Sequence, residues 1–596
     1  VLAANKTYHL ALQIPAKAGS TFDPANGFFG FKNILPAVGL RGQIPEAFSF
    51  GSFAGQVEYI NIKARNPFST WSDTIIVQHV YKICAPNNSN YVGLLDKYGQ
   101  LSYINHPNKV TTDDQLRADA QQPAPSPQLA LDQYFAPLEN PVIAAPSDRY
   151  SVVKHAGRWV LVNPNGREFH SIGAAGVGMT GGQRTVISQR EQLFQELPPT
   201  NHSLIGSSYS TRSTFVGTNT LTFDHFRFNL AKKYNRANPH TEFAEQASKR
   251  LLSWGFNTCG AHCQTELSQG KKLLDLPWFE ITGGHRRISN LPVLYWGAMH
   301  DVFDPQFQTS ITSSFNLNLP ALIAAKSHNI GVYIDNELSW ADGRSARNKY
   351  NIPIGVLNSP ADQPSKVEFI TRLKTKYGAS DDVGIAALNA AWGTSFANWG
   401  ALANTQYVAP STLPAGMVTD FSEFLSAFAQ KYFSSVRTKL NEFNYTGLYM
   451  GCRFIDRSFT DEILAANRQY ADVISVNIYD GNPTRLHPDL AVMDFPIMVS
   501  EYSFNSPVGT TKIGGAYLTA MDQDAERASL NAYYDVLQGW KNVVGLQWFA
   551  YVDHSSAGRY TDAENHGFGL VDIADRPHQA TVDAVKANNL KVHQQW

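Results

Sequence analysis

From about residue 150 onward, short apolar runs rich in β-branched residues alternate with longer stretches whose apolar positions recur at helical spacing. This is the pattern of parallel strands joined by helices. The strand-like runs are 169–173, 256–260, 293–296, 331–337, 447–453, 473–479, 496–501 and 544–549. Their number is the one a (β/α)8 TIM barrel requires. Helical patterns such as 241–254 and 421–443 lie between them. Two connections, 174–240 and 341–418, are long for simple loops and are predicted to wall a cleft at the carboxyl ends of the strands.

Upstream the period changes. Residues 56–63 alternate apolar and polar side chains, 74–81 form a second strand-like run, and Gly, Asn and Pro clusters punctuate both. The pattern predicts an N-terminal β-sandwich over 1–118, jelly-roll-like in layout. Residues 119–149 are Pro/Ala-rich and predict a semi-rigid linker packed along the next domain. The second domain is then 150–596, an α/β unit. A chain of 596 residues is too long for one ordinary core.

Charge removes several classes of function. Lys plus Arg is 49 against 50 Asp plus Glu, a net charge of -1, so no basic field draws in nucleic acid or anionic lipid. No apolar run approaches the roughly 18 residues of a membrane span. The chain opens on Val1 rather than Met, which fits removal of a leader and predicts a secreted or periplasmic protein. Aromatics at 12% beside only 17% charged residues suit stacking on sugar rings. The four cysteines, Cys84, Cys259, Cys263 and Cys452, are too few for a disulfide scaffold, lack zinc-finger spacing, and read as buried free thiols.

The chemistry lies at two strand ends. Run 331–337 finishes in Asp335-Asn336-Glu337, and run 496–501 finishes in Ser500-Glu501. Two acids delivered by separate parallel strands are the minimum equipment for hydrolysing a glycosidic bond. Asn336 adds an amide beside the acid, placed to hydrogen-bond a sugar 2-hydroxyl as oxocarbenium character develops.

Asn336-Glu337 on the fourth strand and Glu501 on the seventh resemble the clan A retaining glycoside hydrolases. Longer strings resemble glycoside hydrolase family 50, the β-agarases: Asp335 to Trp340, 302–307, 470–479, 545–553, Gly558-Arg559, Glu564-Asn565, and 159–166 at the entry to the barrel. The resemblance covers roughly 150–590, and the N-terminal β-domain, a carbohydrate-binding module or a structural prop on this reading, fits the family's two-domain layout. It implies Glu337 as general acid/base and Glu501 as nucleophile. It also implies Tyr479 bonded to Glu501 and Trp548 as the floor beneath the sugar at the cleavage point. Asn477, His262, Trp340, Arg453, Arg559 and Glu564 are implied as further subsite contacts. Ala341-Asp342 and Ala550 depart from the family pattern close to expected subsites and bear on which galactan is recognised.

The activity implied is retaining cleavage of β-1,4-galactosidic bonds in a red-algal galactan, agarose or neoagaro-oligosaccharides first. Carrageenan- or furcellaran-type galactan, a β-galactosidase, and a non-catalytic polysaccharide-binding protein are the alternatives. Two carboxylates need no metal or other cofactor, and the partner expected is a polysaccharide or oligosaccharide substrate. Oligomeric state and exo or endo action are not written in the sequence.

Overall fold

The computed structural model describes residues 93–102, 106–121, 127–179, 183–268, 272–292, 294–506 and 523–596. The strand-like runs of the expected β-sandwich, and Cys84, lie outside the described residues. The described end of that region does not stand apart from the rest. Tyr98, Val110 and Leu116 are buried with Ala574, and the helix Asp113–Gln121 crosses the boundary placed at 118. Within it Asp119 pairs with Lys233 and, at 3.2 Å, with Arg250; both cations also bond Asp575. The described linker residues are likewise docked: Asp132 accepts from Asn163 and Asn165 at 2.8 and 3.0 Å.

An antiparallel leaf of β1 (Ser151–His155), β2 (Arg158–Val162) and β3 (Glu168–Phe169) precedes β4 (Ser171–Ala174). A second leaf follows, β5 (Arg184–Val186), β6 (Tyr209–Thr214) and β7 (Gly217–Asp224), in the order β5-β7-β6. Next come β8 (Thr258–Cys259), β9 (Leu274–Asp275), β10 (Trp278–Phe279), β11 (Gly331–Ile334), β12 (Leu448–Tyr449) and β13 (Arg453–Ile455). The last strands are β14 (Ile474–Asn477), β15 (Ile497–Tyr502) and β16 (Val543–Trp548). Parallel pairs run β4-β8, β8-β9, β10-β11, β11-β12, β13-β14, β14-β15, β15-β16 and β16-β4. The domain is therefore mixed α/β, with these strands parallel.

Where a strand is expected over 293–296, the described residues 294–296 form none; its place is taken by β9 and β10. These are two short pieces because Pro277 lies between them and has no N–H to give, although its carbonyl still accepts from Tyr333 N–H at 3.0 Å. Inside the sheet, Gln547 fills space that only two glycines leave open. A Cβ at Gly173 or Gly260 would sit 1.9 or 2.4 Å from Gln547 Oε1.

Apolar stripes on the helices cover the outer faces of the strands. The helix Ala415–Glu442 buries Phe421, Phe424, Leu425, Phe428, Tyr432, Phe433, Val436 and Leu440, spaced three and four apart as one face of a helix demands. The connection 341–418 is not loop but largely helical, with Asn351–Leu357, Pro364–Tyr377, Gly384–Trp392 and Trp399–Asn404. Its Phe369, Trp392 and Trp399 join the main core, so most of this insertion buttresses the long helix. Cys259, Cys263 and Cys452 are free; Cys263 is only half-buried. No described helix is long and apolar enough to cross a membrane.

Candidate active site

β11 ends at Ile334, and the next three residues turn sharply. Asp335 and Glu337 both take left-handed backbone, with φ of 64° and 50°. Such geometry is costly for residues with side chains and persists only where the surroundings impose it. The restraints are visible. The Asp335 carboxylate accepts from Ile281 N–H at 2.9 Å and Tyr432 OH at 2.6 Å, and lies 3.0 Å from His300 Nε2. His300 Nδ1 lies in turn 2.6 Å from His285 Nε2. Burial works to raise the Asp335 carboxyl, but His300 and the bonds from Tyr432 and Ile281 hold it below the usual carboxylate range. Glu337 N–H donates to the Arg453 carbonyl, and Gly297 N–H donates to the Glu337 carbonyl, each at 2.9 Å.

The two glutamates meet over β14. Asn477 ends that strand in register with Glu501, where the pairing shifts by a residue after Val476. Its Nδ2 donates to Glu337 Oε1 at 2.6 Å, while its Oδ1 accepts from Ser500 Oγ at 2.7 Å. The serine hydroxyl thereby sets which end of the amide faces Glu337. Glu337 and Glu501 are only 4% and 5% exposed, and their environments differ. Burial and the nearby Glu501 charge push the Glu337 carboxyl up to about 8, against the Asn477 bond that favours its ionised form. Glu501 has a cation and a phenol instead. Arg453 Nη2 is 2.8 Å from Glu501 Oε1, and Tyr479 OH donates to Oε2 at 2.6 Å. Burial and that carboxylate push the Tyr479 hydroxyl well above its ordinary value, so it stays a donor.

Arg453 ties the site together. Fully buried at the start of β13, it also donates to Ser500 O at 2.7 Å and to Asn336 Oδ1 at 3.1 Å, with its guanidinium over the Tyr333 ring. The structure thus brings together Asn336, Glu337, Arg453, Asn477, Tyr479 and Glu501 from the sequence-predicted set. Arg559 and Glu564 form an ion pair at the edge of this cluster, 2.6 Å apart, and the Glu564 charge adds to the pressure on Glu337. His262 is exposed and accepts from Trp278 Nε1 at 3.1 Å.

Two tryptophans of the expected set lie within packed surroundings. Trp340 is fully buried, stacked on Phe433 at 5.6 Å and edge-on to Tyr432. It belongs to the packing behind Glu337. Trp548 is also fully buried, its Nε1 donating to the Phe568 carbonyl at 3.0 Å and its ring edge-on to Tyr502; it presents no open face as a floor. Ala341 lies in the same core as Trp340, and Ala550 packs on Phe568.

Sequence reasoning missed His285, His300 and Tyr432, which hold Asp335 from distant segments. The only local hint was a third carboxylate two residues before Glu337. Among the described residues, no group of three or more His, Cys, Asp or Glu side chains is placed to hold a metal ion.

Parallel strands thus bring two buried, differently partnered glutamates together, and known proteins show what the chain resembles. No family model matches the chain. It is 29% identical to beta-agarase B of Vibrio sp. (strain JT0107) over 535 residues, 85% of this chain and 55% of that protein. Beta-agarase A of the same strain is 25% identical over 551 residues, 87% of this chain and 54% of that protein. The chain thus spans just over half the length of either relative. Among solved structures, an exo-beta-agarase superposes with a TM-score of 0.78 at 26% identity, covering 85% of this chain and 74% of that one. A further agarase gives 0.77 at 27%, covering 86% and 75%. The chain is β-agarase-like in sequence and in fold, and its resemblance to glycoside hydrolase family 50 is borne out.

Proposed function

We propose that this chain is a retaining glycoside hydrolase that cleaves β-1,4-galactosidic bonds in agarose-type galactan. Its parallel strands would form a (β/α)8 barrel, with Glu337 leaving the fourth strand and Glu501 the seventh. Residues 1–118 would add a β-sandwich, 119–149 a linker, and the protein would work outside the cytoplasm, where its polymeric substrate is found.

The observation that carries this reading is the unequal provision for the two glutamates. Glu501 has Arg453 at 2.8 Å and the Tyr479 hydroxyl at 2.6 Å, which suits a carboxylate nucleophile. Glu337 is driven up to about 8 by burial and by Glu501, which suits an acid protonated at neutral pH. In the first step a Glu501 oxygen bonds the anomeric carbon as the glycosidic C–O bond breaks, and Glu337 gives its proton to the departing oxygen. In the second, Glu337 takes a proton from water, whose oxygen displaces Glu501 from the anomeric carbon. The 2-hydroxyl would meet Asn336, whose Oδ1 is already held by Arg453 at 3.1 Å.

The agarase relatives support agarose as substrate over the carrageenan and furcellaran alternatives. The test is product formation on agarose, porphyran and several carrageenans, with wild type beside Glu501→Gln. Release of neoagaro-oligosaccharides by the wild type alone is expected. Cleavage of carrageenan but not agarose would overturn the substrate, and full activity of the variant would overturn the mechanism.

A further inference from the structure

The segment expected to be the third strand does something else. Residues 294–298 lie directly against the turn that carries the acid. Gly297 N–H donates to the Glu337 carbonyl, and Ser339 N–H donates back to the Gly297 carbonyl at 2.8 Å. This approach requires glycine, because a Cβ at Gly297 would lie 3.1 Å from the Asn336 carbonyl oxygen and 3.0 Å from Leu338 Cα. The residue before it, Trp296, thus adjoins a backbone position hydrogen-bonded to Glu337. It is 46% exposed, unlike Trp340 and Trp548, which the sequence had favoured for contact with sugar.

Arg559 explains how so large a ring is kept in place at the surface. Its guanidinium sits over the Trp296 ring, 5.8 Å from the centroid, within the range of a cation–π contact. The guanidinium is itself locked by Asp562 at 2.7 Å and Glu564 at 2.6 Å. An ordered indole with exposed surface at the mouth of a polar site is the surface onto which the C–H face of a pyranose packs.

Position relative to the glutamates selects the side of the cut. Glu337 hands its proton to the leaving oxygen, so the departing sugar lies on the Glu337 side. The Trp296 segment is hydrogen-bonded to Glu337's own backbone, whereas Glu501 arrives on β15. We propose that Trp296, backed by Arg559, is a stacking platform for the sugar on the leaving-group side of the cleaved bond. This rests on the glycoside hydrolase reading above.

Calorimetric titration of full-length Glu501→Gln protein with neoagarobiose and neoagarohexaose tests it, with and without Trp296→Ala or Trp296→Phe. Loss of one aromatic contact should weaken neoagarohexaose binding about tenfold in Trp296→Ala, leave neoagarobiose unchanged, and be largely restored by Trp296→Phe. Equal affinity for the hexaose with and without Trp296 would overturn the inference while leaving the hydrolase reading intact. An equal loss for both lengths would contradict the assigned side. No binding of either sugar to the parent Glu501→Gln protein would overturn the hydrolase reading, and this inference with it.

Discussion

Arg453 Nη2 stands 2.8 Å from Glu501 Oε1 while the same guanidinium holds Asn336 and the Ser500 carbonyl. The cation paired with Glu501, the proposed nucleophile, therefore also fixes the residue beside Glu337, the proposed acid. Removing it should leave a buried carboxylate without its counter-charge, at a cost of about 3–5 kcal/mol. Arg453→Met should lower the urea midpoint and abolish turnover together. Denaturation followed by circular dichroism checks this, and unchanged stability would show that the pair is not coupled to the fold.

Tyr479 supplies the second donor to Glu501, at 2.6 Å. A hydrogen bond to a charged group contributes about 1.5–3 kcal/mol, so Tyr479→Phe should lower kcat by about 10–100-fold. Steady-state kinetics on neoagaro-oligosaccharides measure it, and a drop of less than about twofold would remove Tyr479 from the role.

The pH dependence follows from Glu337. Burial and the Glu501 charge push its carboxyl up to about 8, and the proposed mechanism needs it protonated, so activity should fall as pH rises through about 8. In Glu501→Gln the neighbouring charge is gone, and Glu337 should titrate at lower pH. The stability consequence has the opposite sign to that of an ion-paired carboxylate. The folded chain holds this proton more tightly than the unfolded chain, so Glu337 costs stability as pH rises from its unfolded value toward 8. Glu337→Gln should therefore raise the thermal midpoint more at pH 8 than at pH 5. Equal shifts at both would refute the raised value.

The turn before the acid should also be sensitive. Asp335 holds its left-handed backbone through Tyr432, His300 and the Ile281 N–H. Asp335→Ala leaves these buried donors unpaired, at about 1–3 kcal/mol for each group. A lowered melting temperature is expected, with kcat falling more than KM rises, because Glu337 loses its placement rather than the sugar its contacts.

The sequence revealed most of the parallel strands because Gly331–Ile334, Ile474–Asn477, Ile497–Tyr502 and Val543–Trp548 are apolar and buried on both faces. It misled at 293–296, whose described residues 294–296 form no strand, because Pro277 splits the true strand into pieces of two residues. Glu337 and Glu501 were legible as carboxylates ending such runs. Arg453 pairing with Glu501 was not, since it depends on the register of β13, β14 and β15. Trp340 looked like a sugar contact because it follows Asn336-Glu337 closely, yet the left-handed turn sends it into the aromatic core against Phe433.

The most direct test of the central claim is the anomeric configuration of the first product. Proton NMR during hydrolysis of neoagaro-oligosaccharides, read before mutarotation, should show the β-anomer appearing first if Glu501 forms a covalent intermediate that Glu337 then helps water to resolve. Initial release of the α-anomer would mean a single displacement by water and would contradict the roles assigned to both glutamates.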